Sequence, residues 1–365
     1  MKTLAIDCRM ARMAGIGVYL RNLAPRCMDL LAGEARFRLL GYDGAFAVPE
    51  GCRWEAAAFA APIYSIAEQV RILPLLRGCD ALWTPHYPIP ALSRLPLAVT
   101  VHDAAPLALT DVFTGMQRAY ARLMFQAVRF KAAELLFVSE FSRREFVRHA
   151  GSPRGGMTVV HNGVDGTWME CLPKPAASAP YFLAVGNIKP HKNLRLLCRA
   201  FAGIADKRDA DLVLVGEHAG FRTSEVSTET LAALCPGRIR FTGALEQQAL
   251  IDLAAGAQAL VFPSRYEGFG LPPLEALAAG IPVLASDIPP VHEVCADHVR
   301  YFPPDSEERL SQALLAVLDL TPEERGARAE AGRAHARQFT WDRAAGKSAE
   351  RLRRVLRLVS PAALR

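Results

Sequence analysis

Glu267 and Glu275 stand eight residues apart in the stretch YEGFGLPPLEALAAGIPVLASDIPPVHEV. A carboxylate accepts paired hydrogen bonds from vicinal hydroxyls, so two of them flanking a turn suit a ligand that carries two diols. The turn itself suits an anion. Pro272 and Pro273 fit the first positions of a helix, where a missing N–H costs little. The amides of Gly270 and Leu271 then point outward from the helix start. Glu275 is expected in the first turn of that helix, Gly280 at its end, and Glu267 just before the turn. Singly, Glu275 is accounted for by the helix dipole and Glu267 by an exposed loop. The whole constellation is more specific than either.

The same pairing of strand end and helix start recurs twice upstream. In YFLAVGNIKPHKNLRLL, Gly186 and Asn187 end a strand, and Lys189, His191 and Lys192 precede a helix expected near Asn193. That loop suits a diphosphate, with Lys192 as a point charge; a solvated basic loop is the other reading. In AIDCRMARMAGIGVYLRNL, Gly15 and Gly17 precede a helix expected near Val18. Close backbone approach would again favour an anion, although glycines occupy such turns for steric reasons alone. LAVTVHDAAP sets His102 and Asp103 after an apolar strand, and WTPHYPIP sets His86 after its neighbour. Ser139 and Ser142, with Asn162 and Gly163, complete the rim.

These residues require strands to carry them. Short apolar runs alternate with longer amphipathic stretches, the pattern of βαβ units on a parallel sheet. TLAIDC, ALWTP, LAVTVHD, LLFVS and MTVVHN are the strands expected in the first half. YFLAVGN, ADLVLVG, IRFTG, ALVFPS and PVLASD are those of the second, and the Pro/Ala/Ser segment ECLPKPAASAP between them reads as a linker. The expectation is an α/β protein of two doubly wound domains, 1–170 and 171–345, with ligands in a cleft at the strands' carboxyl ends. The amphipathic segment WDRAAGKSAERLRRVLRLV is expected to form a C-terminal helix, 346–365, that packs back toward the first domain.

The 365 residues exceed one usual domain, and with 51% hydrophobic and 22% charged residues the composition is globular. No run reaches the roughly 18 apolar residues that span a bilayer. Asp7 and Arg9 fall where a leader peptide would be apolar, and the eight cysteines form no Cys-x-x-Cys pair, so the expectation is a cytoplasmic protein with reduced thiols. Between Met116 and Arg154 eight basic residues face three acids. This stretch suits anionic lipid headgroups or is a solvated helix face; nucleic acid is not expected, since no recognition motif accompanies it.

Taken together, GIGVYLRNL, VHDAAP, VSEFSRREF, VVHNGVD, VGNIKPHKNL, IRFTGALEQQAL and the Glu-x7-Glu segment EGFGLPPLE resemble a family 4 retaining glycosyltransferase of the GT-B fold. The similarity is to bacterial enzymes of O-antigen and exopolysaccharide synthesis, many of them mannosyltransferases. The resemblance implies that Glu267 contacts the donor hexose, that Glu275 binds the ribose, and that the amides of Phe269, Gly270 and Leu271 cap sugar and diphosphate. It implies that Lys192 neutralises the leaving diphosphate, that Gly17 lets the first domain close on it, and that His102 approaches the donor sugar. Backbone near Ala244 and Leu245 would edge the base, and His86, Asp103 and Asn162 would lie toward the acceptor. Relatives often carry arginine where this chain has Asn187, which places more weight on Lys192.

The implied activity is transfer of a hexose from a nucleotide diphosphate sugar, GDP-mannose in first place, to a saccharide or lipid-linked saccharide with retention of configuration. The basic loop can replace a cation at the diphosphate, so neither metal nor other cofactor is expected. A nucleotide-sugar 2-epimerase of the same architecture is one alternative, but it calls for further acidic groups that the sequence does not place. A non-catalytic nucleotide-sugar binder is the other, and it would dispense with His102 or Glu267.

Overall fold

The computed structural model describes residues 1–171, 180–216 and 227–357, so that the expected linker lies almost wholly outside the described residues. The chain divides into two compact units: Met1–Gly163 with the chain from Phe339 onward, and Val164–Gln338. The unit boundaries thus fall after residues 163 and 338, ahead of the 170 and 345 expected from sequence.

The first unit is built on seven strands: β1 (Lys2–Asp7), β2 (Ala35–Leu40), β3 (Arg53–Ala57), β4 (Ala81–Thr84), β5 (Leu97–Val101), β6 (Ala132–Phe137) and β7 (Gly156–Val159). They pair in the order β3-β2-β1-β4-β5-β6-β7, every pair parallel. β4 and β5 are buried along their whole length, as strands covered on both faces must be. Val99, Leu135 and Phe137 meet Phe125 and Phe146 from the covering helices in one core.

The second unit repeats the plan with β8 (Tyr181–Val185), β9 (Asp211–Val215), β10 (Ile239–Gly243), β11 (Ala259–Phe262), β12 (Val283–Ser286) and β13 (Arg300–Phe302). Their order is β10-β9-β8-β11-β12-β13, again wholly parallel. Phe182, Leu212 and Leu214 pack against Phe201 and Leu314.

β2, β3 and β13 escaped the sequence reading for one reason: none is an uninterrupted apolar run. In β2 the arginines alternate with apolar residues, and Arg38 is satisfied across the register by Glu55 of β3 at 2.6 Å. β3 and β13 are edge strands, exposed or only three residues long.

The C-terminal helix starts at Trp341 and runs to Val355, earlier than expected, and lies along the helix Ile16–Leu31 of its own unit. Small residues on its buried face, Ala344, Ala345, Ser348 and Ala349, let the two backbones approach, and Arg26–Asp342 (2.8 Å) and Arg353–Glu34 (2.9 Å) pin the ends. Where this segment passes the end of β7, a Cβ on Gly163 would stand 2.1 Å from the Trp341 nitrogen. Gly163→Ala is therefore expected to cost about 1–3 kcal/mol by overpacking. Gly326→Ala, in the exposed helix Pro322–Ala336 with nothing within 4 Å, is expected to gain about 0.5–1 kcal/mol. Urea unfolding midpoints of the two variants check the pair.

Candidate functional site

In the second unit the strand order reverses between β8 and β11: β9 and β10 lie to one side, β12 and β13 to the other. Loops leaving the carboxyl ends of β8 and β11 therefore diverge and leave room between them, which is where parallel sheets take ligands. The expected donor-side residues of this unit follow β8 and β11, in the loops and the helix start after them, except Ala244 and Leu245, which follow β10.

β8 ends at Val185 and the chain opens at Gly186, whose φ of +145° few side chains tolerate. Gly216, at the end of β9, crosses so close that a Cβ there would lie 2.1 Å from the Gly186 carbonyl oxygen. Only glycine fits at 216, a requirement the sequence reading passed over. Half-buried Asn187 leads into a single turn, Pro190–Lys192, and Asn193 enters the left-handed region (φ +56°) to start the helix Leu194–Ala205. The Asn193 amide group donates to the Pro304 carbonyl (2.8 Å), which fixes that corner.

The β11 loop is tied to this one. The Arg265 amide donates to the His191 carbonyl at 2.8 Å, and Lys192 Nζ donates to Glu267 Oε1 at 2.6 Å. Both side chains of that ion pair are mostly shielded, and the ammonium also lies 5.7 Å from the centre of the Phe262 ring. Burial disfavours the Glu267 carboxylate, but the charge and hydrogen bond of Lys192 outweigh it and hold its pKa below the ordinary carboxylate range. Burial also dominates at His191, lowering its pKa to about 4 despite the charge of Glu267. His191 is neutral at physiological pH, and the positive charge of this loop is carried by Lys189 and Lys192.

The helix after Glu267 spans Leu271–Ala278. Gly270 precedes it at φ +100°, and no side chain caps it. Because Pro272 and Pro273 have no N–H, the donors of this helix start are concentrated at Gly270 and Leu271. The helix stops in a Schellman motif: the Gly280 amide donates to Leu277 (3.0 Å) and the Ile281 amide to Ala276 (2.9 Å). Phe269 buries its ring, so only its backbone is available to a ligand.

Glu275 lies in the second turn, one turn later than the sequence suggested, since Leu271 opens the helix. It is half-buried in a small cavity lined by Trp168, Leu183 and Val185 of β8, Leu250, Leu260 of β11, and Pro272. No hydrogen bond or ion pair reaches its carboxylate among the described residues. Burial, with a smaller contribution from Asp165, pushes its pKa up to about 7. Ala244 and Leu245 follow β10, two strands from β8, the first exposed and the second half-buried.

In the first unit the strand order reverses between β1 and β4, and the expected residues sort differently. His102, just past β5, has Nε2 2.8 Å from the Pro85 carbonyl and its ring edge-on to Tyr19 at a centroid distance of 4.9 Å. A carbonyl only accepts, so Nε2 carries the proton; burial, opposed by that bond, lowers the pKa to about 4. The result is a neutral ring with Nδ1 as acceptor. Asp103 accepts from the Ala105 amide at 2.8 Å. His86 is 1% exposed with Nε2 3.4 Å from Asp7, which sets it behind the strand ends rather than on their rim. Asn162 is likewise buried.

Gly17 lies inside the helix Ile16–Leu31 rather than ahead of it. A Cβ there would meet the Ala11 carbonyl oxygen at 2.7 Å, so this glycine permits close packing of helix on loop. Ser139 caps the helix Glu140–Ala150 by accepting from the Ser142 amide (2.9 Å), and Ser142 Oγ donates to the His102 carbonyl at 2.5 Å. These serines hold the histidine; they are not rim residues. Tyr19 and Thr100, bonded at 2.9 Å beneath it, are further supports that no local pattern announces. Among the described residues no cluster of three His, Cys, Asp or Glu is placed to hold a metal ion.

Residues 13–167 match the family described as Glycosyltransferase Family 4, and residues 173–335 match that described as Glycosyl transferases group 1. The O-antigen chain mannosyltransferase RfbU of Salmonella typhimurium is 29% identical over 258 residues, which cover 71% of this chain and 70% of that protein. The O-antigen chain mannosyltransferase B of Escherichia coli is 29% identical over 261 residues, 68% of each. Among solved structures, that of HepE from Anabaena in complex with UDP-glucose matches with a TM-score of 0.78 at 18% identity, covering 96% of this chain and 99% of that one.

The state of Glu275 has a measurable consequence. Its acidity is weaker in the folded protein, about 7, than the ordinary 4.5, so the folded state holds the proton more tightly. Stability is then lost as pH rises from about 4.5 through about 7. Glu275→Gln is expected to remove that loss and to raise stability at pH 8 by on the order of 1 kcal/mol or more, with little change at pH 4.5. Thermal unfolding at the two pH values checks it.

Proposed function

We propose, because the chain belongs to the glycosyltransferases that join a family 4 domain to a group 1 domain in the GT-B fold, that it transfers a hexose from a nucleotide diphosphate sugar to a saccharide or lipid-linked saccharide with retention of configuration. The observation that carries this reading is Glu275: a half-buried carboxylate without a partner, beside an uncapped helix start and the Lys192–Glu267 pair. An unpaired carboxylate in such a place is costly until hydroxyl groups satisfy it, and a ribose diol does so with two.

The diphosphate then lies between Lys192 and the amides of Gly270 and Leu271. As the glycosidic bond breaks, negative charge grows on the leaving oxygen. Lys192, held in advance by Glu267, shifts its interaction toward that oxygen without crossing bulk solvent. Glu267, released in part, accepts from hydroxyls of the hexose. The Ala244–Leu245 backbone borders the base. Lys192 and the amides supply the stabilisation that a divalent cation provides elsewhere, so chelator is expected to leave the rate unchanged. Mannose, with GDP-mannose as donor, is favoured by the mannosyltransferase relatives; the nucleotide-sugar class is supported by the UDP-glucose bound in HepE.

A lipid-linked acceptor would bring the protein to a membrane surface. No helix among the described residues is long and apolar enough to cross a bilayer. The helix Gly115–Lys131 instead exposes Met116, Leu123 and Phe130 at seven-residue spacing, with Arg122 alongside, and the adjoining helix Ile66–Leu75 exposes Ile66 and Val70. Arg143, by contrast, is engaged with Glu140 at 2.7 Å. Apolar side chains beside arginines suit the interface of an anionic bilayer.

Two experiments follow. Under a panel of nucleotide sugars, at least one is expected to raise the unfolding temperature and to be turned over; Glu275→Gln then weakens its binding about tenfold, whereas Glu267→Gln mainly lowers kcat. Equal effects of both changes on donor affinity alone would remove the division of roles. In cosedimentation with phosphatidylglycerol vesicles, Leu123→Glu is expected to reduce binding about tenfold, and unchanged binding would remove the membrane contact.

A further inference from the structure

Three tyrosines gather at the carboxyl ends of the first unit's strands, outside the residues assigned above. Tyr64 follows β3, Tyr87 follows β4, and Tyr120 reaches in from the helix Gly115–Lys131. The Tyr64 ring lies 5.8 Å from that of Tyr87, tilted by 34°, and 6.3 Å from that of Tyr120, at 90° to it. Tyr87 rests in turn on the buried ring of Phe125 at 5.0 Å. Tyr64 keeps 46% of its surface exposed while its ring is braced by both neighbours.

The backbone that presents it is unusual. Tyr64 has φ of +64°, one of four non-glycine residues at positive φ among those described, and a bulky side chain adopts that region only when its surroundings impose it. What imposes it is a buried charge network. The Tyr64 amide donates to Glu68 Oε2 (3.2 Å), and the Tyr120 hydroxyl to Glu68 Oε1 (3.2 Å). Arg9 Nη1 donates to Glu68 and to the Ala61 carbonyl (both 3.2 Å), while its Nη2 grips Asp7 at 2.6 Å and its guanidinium lies 4.0 Å from the Phe59 ring centre. Arg9 and Glu68 are both nearly inaccessible, and burying such groups does not by itself favour folding. Their effect is to fasten the segment that carries Tyr64 to the end of β1.

The chemistry of this surface selects a class of ligand. Arg9, the cation nearest it in the network, is engaged with carboxylates, which disfavours a phosphate. Asp103, just past β5, adds its charge to burial in keeping the phenols of Tyr64 and Tyr87 protonated. An electron-rich aromatic face accepts C–H groups, and a carboxylate accepts hydroxyl protons through as many as about four lone-pair directions. A neutral, polyhydroxylated ring with an apolar C–H face offers both.

We propose that Tyr64, braced by Tyr87 and Tyr120, is the platform on which a pyranose of the acceptor saccharide stacks. Glu68 and Arg9 are positioning residues for it. This inference rests on the transferase reading, since it assigns that reaction's second substrate.

The test uses the full chain and saturation-transfer NMR with methyl α-D-mannopyranoside and methyl β-D-glucopyranoside as probes. Wild-type protein is expected to transfer saturation to the ring C–H protons of at least one glycoside. Tyr64→Phe, which keeps the aromatic face, is expected to retain most of the effect, and Tyr64→Ala to lose it at least fivefold. No transfer from the wild type to either glycoside overturns the proposal, as does equal transfer from Tyr64→Ala. Failure of the transferase reading has a separate signature: no nucleotide sugar then protects the wild-type protein against heat, whatever the glycosides do.

Discussion

The ion pair between Lys192 and Glu267 holds the site together. It joins loops from β8 and β11, seventy-five residues apart in sequence, across the point where strand order reverses. Together with the Arg265–His191 backbone bond it ties the basic loop to the segment that leads into the Leu271–Ala278 helix. With it, a lysine that would otherwise sample many rotamers stands at a fixed place, its charge already balanced in the empty protein. A diphosphate entering beside it meets a cation whose side-chain ordering and desolvation have largely taken place.

Glu275 has a different character because burial, not a charged partner, dominates its surroundings. Two carboxylates on one helix-and-loop segment end in opposite states: Glu267 is kept ionised by a lysine, Glu275 is driven toward the proton by apolar neighbours on β8 and β11. Environments that push two like groups apart are a general way to divide roles between them. Here the ionised member is paired with Lys192, and the other has no hydrogen-bond partner among the described residues. The first unit uses comparable means for another end. There Asp7, Arg9 and Glu68 neutralise one another deep behind the strand ends, and the outcome is a positioned aromatic surface.

Much of this was legible in the sequence because parallel strands covered on both faces must be apolar, and residues just past them must be polar if they do anything. The strands carrying His102, Gly186 and Glu267 were all found that way. What local pattern does not carry is adjacency. That Lys192 meets Glu267 depends on β8 lying next to β11, and that His86 turns inward to Asp7 depends on β1 lying next to β4. Gly17 and Gly216 illustrate a second limit: a glycine read as an anion cradle packs a helix on its own loop, and one passed over is where two backbones touch. The turn occupied by Glu275 was misjudged because the helix begins at Leu271, after a glycine in the left-handed region, so the carboxylate falls in its second turn.

The central claim is that a nucleoside diphosphate binds beside Lys192 at the start of the Leu271–Ala278 helix. Calorimetric titration of the pure chain with GDP, UDP and the corresponding monophosphates tests it most directly. At least one diphosphate is expected to bind ten times or more tightly than its monophosphate, and Lys192→Met is expected to erase that difference while leaving the monophosphate affinity in place. Equal affinities for di- and monophosphate in the wild type, or an undiminished preference in Lys192→Met, would contradict the account.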